Sequence, residues 1–135
     1  MEMLTPASTC RHARIRFTTQ QPTEFIDLTE HLERLIGDGG VRFGILNVQT
    51  LHESAAPCDA GYQHDDTTAR TVNLTAAERP NGHAHCRALL LPSSVSLNVS
   101  NGRVLLGKWQ RVFLVELDGP REREISVLLV GEAGQ

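Results

Sequence analysis

The dipeptide Asn101-Gly102 constrains this chain more than any other short stretch. It stands between a run in which Val95, Leu97 and Val99 alternate with polar residues and a returning run from Arg103 to Leu106. A two-residue type I′ connection needs positive φ at both central residues, which Asn and Gly adopt with little strain. A link that short joins only antiparallel neighbours, so the sequence commits to an antiparallel sheet.

Other segments extend that sheet. From His12 to Thr19, Ala13, Ile15 and Phe17 alternate with Arg14, Arg16 and Thr18, a period-2 strand with one polar face. Val41 to His52 is dense enough in apolar residues to predict a strand buried on both sides. Trp109 to Leu117 is apolar at both parities and is expected to be a central strand, with Trp109 packed in the core in preference to stacking on a ligand. Asp118-Gly119-Pro120 turns the chain, Arg121 to Glu124 reads as a solvated, self-neutralising charge run, and Glu124 to Val130 is the closing strand. One segment has a different period. From Pro22 to Ile36, Phe25, Leu28, Leu32, Leu35 and Ile36 fall on one helical stripe, with Thr23 as N-cap and Gly37, Gly39 and Gly40 ending the helix. His31 lies beside that stripe and is expected to be exposed. Ala84 to Leu91 is compatible with either a strand or a helical turn. One helix and six or seven strands in 135 residues predict a single domain, 1–135. The expected class is α+β, mainly an antiparallel β-sandwich with one packed helix.

Composition excludes several functions. The net charge is −3 and aromatic residues make up 4% of the chain, so no basic, aromatic surface for nucleic acid is expected. The apolar runs Ala88 to Leu91 and Val127 to Val130 are too short to span a bilayer, and the first ten residues lack the pattern of a signal peptide. Cys10, Cys58 and Cys86 are odd in number and lack Cys-x-x-Cys spacing, which fits reduced thiols and a cytoplasmic location.

The chemistry-bearing stretch is Asn81-Gly82-His83-Ala84-His85-Cys86-Arg87. In a strand, His83 and His85 would share one face, which is half of a metal site, and Arg87 at the same parity would hold an anionic group beside it. The alternative is a chance His-x-His on a solvated loop. His52, at the end of a long strand, is a stronger candidate than His64, which lies in the polar segment Glu53 to Pro80. Gly102 to Lys108 fits most of a phosphate-binding P-loop, but Trp109 stands where Ser or Thr must hold magnesium, and the context is a hairpin. No Gly-x-Ser-x-Gly elbow exists. A cupin would carry a carboxylate shortly after His85, and none follows in Cys86 to Leu90.

Leu51-His52, Tyr62-Gln63-His64, Pro80 to His85, Gly102-Arg103, Leu106 to Gln110 and Asp118 to Arg121 occur in this order. Together they resemble the YjbQ-like family, also called the secondary thiamine-phosphate synthase family, over Gly44 to Gly131. The resemblance implies that His52, His64 and His85 are catalytic residues and metal ligands, with zinc or magnesium as the cation. It implies substrate-binding roles for Asn81, Trp109 and Gln110, and Arg87 and Lys108 are nearby cations for a small phosphorylated molecule. The implied reaction joins hydroxymethylpyrimidine diphosphate to thiazole phosphate with release of diphosphate, in a homotrimer. Here only Glu53 to Gly61 separates His52 from Tyr62, shorter than the family pattern, so weak activity is expected. The alternative is a non-catalytic metal- or phosphate-binding trimer.

Overall fold

A computed structural model describes residues 8–51 and 91–133. The elements are β1 (Ser8–Thr18), β2 (Glu24–Asp27), α1 (Thr29–Gly39), β3 (Val41–Thr50), β4 (Ser94–Ser100), β5 (Arg103–Val104), β6 (Phe113–Glu116) and β7 (Glu122–Ala133). A five-stranded sheet has the order β1-β7-β3-β4-β5, and β2 and β6 form a separate pair. Every pairing is antiparallel. The class is α+β, as expected, although among the described residues the second sheet has two strands and the architecture is a large sheet with a helix and a ribbon more than a full sandwich.

The hairpin forms as its dipeptide dictates. Asn101 has φ 52° and Gly102 φ 75°, both positive as a type I′ turn requires, and Ser100 pairs with Arg103 across it. The Gly102 N–H also donates to the Arg42 carbonyl at 3.0 Å, tying the turn to the start of β3. The helix runs on through Gly37 and Gly39, and of the glycines expected to end it only Gly40 does so: it is left-handed at φ 65°, and its N–H donates to the Gly37 carbonyl at 3.2 Å.

One face of the large sheet holds the core. Leu46 and Val48 of β3, Val99 of β4 and Ile125, Val127 and Leu129 of β7 are buried together with Leu32 and Ile36 of α1 and Leu114 of β6. In the middle of the sheet Gly44 pairs with Gly131. A Cβ on Gly44 would run into the Val130 carbonyl oxygen, and one on Gly131 into the Phe43 carbonyl oxygen, so glycine is required at both positions.

Several expectations are corrected. The helix begins at Thr29, not near Pro22. Glu24 to Asp27 is instead strand β2, in which Phe25 pairs with Val115 and its ring lies edge-on to Phe113 at 6.3 Å. Phe25 was placed on the helical stripe because Phe25, Leu28 and Leu32 have helical spacing, but it is exposed on the ribbon, and only Leu28, Leu32 and Ile36 are fully buried. The N-terminal polar contact comes from Asp27, whose Oδ1 accepts the Thr29 N–H at 2.9 Å, and not from Thr23. β3 buries one face only, since Phe43 and Ile45 point outward and are about half exposed. The segment expected as a central strand from Trp109 is the short ribbon strand β6. The interior strands of the large sheet are instead β7, longer than expected and flanked by β1 and β3, with β3 in the middle of the order and β4 beyond it.

The supposed charge run is also only partly solvated. Arg123 reaches back to Glu116, which is 2% exposed. Its Nε donates to Oε1 at 2.9 Å and its Nη2 to Oε2 at 2.7 Å. Thr19 Oγ1 and the N–H groups of Leu117 and Asp118 complete the shell at 2.7, 3.0 and 3.1 Å. Burial pushes the Glu116 carboxyl up, but Arg123, Thr19 and the Asp118 N–H outweigh it and hold the pKa down at about 2. This cluster fastens the ribbon to the end of the large sheet where β1 and β7 meet. His31 is exposed as expected, with its ring edge-on to Phe17 at 5.5 Å.

Candidate functional site

After β5 the chain leaves the sheet and turns through Gly107, Lys108, Trp109 and Gln110 before entering β6. The turn closes on itself twice. The Gln110 N–H donates to the Gly107 carbonyl at 3.0 Å, and the Gln110 side-chain Oε1 accepts the Gly107 N–H at 2.7 Å. The result is a rigid corner held by backbone and side chain together. At its tip Trp109 is 85% exposed, with Lys108 Nζ 4.9 Å from its ring centroid. The core position expected for Trp109 is therefore corrected: the strand pattern that suggested it does not begin until Phe113, and the indole stands free in the turn.

Behind this corner lies an open cleft of about 420 Å³ between the first turns of α1, the β4–β5 hairpin and the start of the β6 segment. Its polar wall comprises Thr29, Glu33, Ser100, Asn101, Arg103, Gln110 and Arg111. Arg111 Nε donates to Asp27 Oδ2 at 2.7 Å. The Thr29 N–H and then the Arg111 guanidinium hold the Asp27 carboxyl down at about 2. Arg103 Nε is 3.7 Å from Glu33 Oε1, and Glu33 Oε2 accepts the Val104 N–H at 3.3 Å. Thr29 Oγ1 accepts the Val112 N–H at 3.0 Å. Arg103 is 79% exposed, whereas Arg111 is committed to Asp27.

Of the residues singled out in the sequence, Lys108, Trp109 and Gln110 stand together in this turn, and Gln110 lines the cleft. His52, His64, Asn81, His83, His85 and Arg87 lie outside the described residues. Leu51, which precedes His52 in its motif, bonds to Glu124 at the far end of β3. Leu105 bonds to Asn98, which opposes Ile45, so Leu51 is six residues and about 20 Å along the strand from the level of the cleft. Among the described residues no three His, Cys, Asp or Glu side chains gather as a metal site. Thr29, Glu33 and Asn101 were missed as site residues. They have no motif of their own, and only the Asn101-Gly102 turn marks that corner in the sequence.

The sequence profile described as UPF0047 protein YjbQ-like matches residues 13–132. The chain belongs to this family. It is 33% identical over 136 residues to a UPF0047 protein of Methanothermobacter thermautotrophicus, covering 84% of this chain and 87% of that protein. It is also similar to the UPF0047 protein YugU of Bacillus subtilis, at 27% identity over 87% of this chain and 97% of that one. Among solved structures, a YbjQ-like protein of unknown function from Sulfolobus solfataricus superposes with a TM-score of 0.71 at 28% identity, covering 93% of this chain and all of the other. The family resemblance read from the motifs is therefore correct. No helix among the described residues is long and apolar enough to cross a membrane.

Proposed function

We propose that this YjbQ-like chain binds a small phosphorylated molecule and joins hydroxymethylpyrimidine diphosphate to thiazole phosphate, weakly. The observation that carries the reading is that Gln110, a signature residue of the motif Leu106 to Gln110, lines the 420 Å³ cleft together with two guanidinium groups. In this reaction the thiazole nitrogen lone pair forms a bond to the methylene carbon of the pyrimidine. The carbon–oxygen bond to diphosphate breaks, and diphosphate leaves with the electron pair. The protein's task is to align the two partners and to stabilise charge on the leaving oxygens, for which fixed cations and amide donors suffice. Lys108 and Trp109 stand beside the cleft's corner, and Asn81 and Arg87 are further proposed contacts.

His52, His64 and His85 remain the proposed catalytic histidines and the proposed ligands of a divalent metal, zinc or magnesium, and with Leu51 about 20 Å along β3 from this chain's cleft His52 is proposed to meet a cleft across a subunit boundary. When bound, such an ion would supply Lewis-acid stabilisation of phosphate oxygens. The short segment between His52 and Tyr62 supports weak turnover, since a less enclosed site admits water.

The proposal includes a homotrimer. Phe43, Ile45, Leu128 and Val130 are 40–55% exposed on the outward face of β3 and β7, on the order of 400 Å² of apolar surface, the size that marks an interaction patch. Its neighbours satisfy one another: His12 Nε2 and Ser126 Oγ lie 2.8 Å apart, Asn47 donates to Ser96 at 3.0 Å, and Arg14 pairs with Glu124 at 3.1 Å. In a three-fold ring this patch would be one half of each subunit contact, meeting a different surface of the next copy.

The test of the reaction is diphosphate release from the two substrates by wild type and His85→Ala, with metal present. Release by wild type and none by the variant supports the reading. Equal rates would assign the activity elsewhere, and no release from either favours the non-catalytic binding protein.

A further inference from the structure

The cleft's ligand can be read from the hydrogen-bonding capacity its walls leave over. Gln110 Oε1 is occupied by the Gly107 N–H, which fixes the amide and leaves its –NH₂ end without an acceptor among the described residues. Asn101 is oriented in the same sense, its Oδ1 accepting from Arg42 Nη2 at 3.5 Å. Thr29 Oγ1 accepts the Val112 N–H, so its hydroxyl proton is left to donate. Arg111 uses Nε on Asp27 and keeps its terminal nitrogens. Arg103 is mostly exposed, and its ion-pair neighbour among the described residues is Glu33. The wall's main side-chain acceptors are the Ser100 hydroxyl and one carboxylate. Glu33, the one carboxylate in the wall, receives the Val104 N–H on one oxygen and faces Arg103 with the other.

Among the described residues five side chains thus offer donors to an opening of molecular size, two of them guanidinium groups, against one carboxylate that already has partners and the Ser100 hydroxyl, which can donate or accept. Donors outnumber acceptors, so a neutral ligand rich in donors is poorly matched. A compact anion with several acceptor oxygens and no donor matches all of them, and charge-assisted bonds from Arg103 and Arg111 would be the stronger ones.

We infer that this cleft is an oxyanion subsite for a phosphate or diphosphate group, and that the fixed Gln110 amide sets its preference for acceptors. The inference deepens the proposed function by naming where phosphate oxygens are held, but its test does not depend on turnover.

The experiment is calorimetric titration of inorganic diphosphate into the full chain, wild type against Gln110→Glu and Arg103→Ala. Gln110→Glu keeps an oxygen to accept the Gly107 N–H, so the corner holds, and replaces the free donor with a negative oxygen. Arg103→Ala removes an exposed cation and serves as the second variant if the first fails to fold. Thermal unfolding by circular dichroism checks that each variant is folded. The expected result is binding by wild type, weakened at least tenfold by Gln110→Glu and several-fold by Arg103→Ala. No binding by wild type, or equal binding by all three, overturns the inference. Turnover by wild type with diphosphate binding unchanged in both variants would overturn the subsite while leaving the reaction standing. Absent turnover with binding lost in Gln110→Glu would support the subsite and remove the reaction.

Discussion

Replacing Arg123 with methionine tests the buried cluster that joins the ribbon to the large sheet. The Glu116 side chain is 1% exposed, and Arg123 contacts both of its oxygens. Methionine fills much of the arginine stem's volume but leaves a buried carboxylate without its counter-charge. Removing one partner of a buried pair costs about 3–5 kcal/mol. Thr19 and the N–H groups of Leu117 and Asp118 remain on the carboxylate, so the lower end, about 3 kcal/mol, is expected. The pH dependence gives a separate figure. Glu116 is lowered from 4.5 to about 2 on folding, and at about 1.4 kcal/mol per unit that corresponds to about 3 kcal/mol. Because the folded value is the lower one, this stability is fully present above pH 4.5 and is lost as pH falls toward 2. Urea unfolding followed by circular dichroism from pH 7 to pH 3 measures both. Wild type should lose stability below about pH 4.5, and Arg123→Met should be weaker at pH 7 with a flatter acid limb. The double variant Glu116→Leu, Arg123→Met should recover much of the loss, since no unpaired charge is left. A cost under about 1 kcal/mol at pH 7, or an unchanged acid limb, would contradict a stabilising role for the pair.

Gly44→Ala should destabilise the chain by about 1–3 kcal/mol or more, because the new Cβ meets the backbone of β7, which cannot step aside as a side chain can; a thermal midpoint within about 1 °C of wild type would count against the packing described. Ile45→Asp places a charge in the outward apolar patch of β3 and should convert a trimer to monomers in light scattering at micromolar concentration. A monomeric wild type would remove the trimer, and a variant that stays assembled would remove this face as its contact.

What was legible in the sequence was mostly local. Asn101-Gly102 specifies its turn through the φ values that two residues can adopt, and Gly40 stops the helix by the same means. Phe25 shows the limit. Its spacing to Leu28 and Leu32 fits a helix, yet Glu24 to Asp27 pairs with Phe113 to Glu116, nearly ninety residues on, and no local pattern reports that partner. Arg123 failed as a reading for a related reason: a charge among charges looks solvated until the fold places a buried Glu116 beside it. Gln110 was found through a motif that spans the turn, while Thr29, Glu33 and Asn101 acquire their place only when α1 and the hairpin come together around the cleft. The outward apolar patch was read as double-sided burial of β3, because periodicity reports apolar faces and not what covers them.

A crystal structure grown with millimolar inorganic diphosphate tests the oxyanion cleft most directly. Diphosphate should lie between α1 and the β4–β5 hairpin, with an oxygen within hydrogen-bond distance of Gln110 Nε2 and another facing Arg103. Diphosphate bound elsewhere on the chain while this cleft stays empty would contradict it.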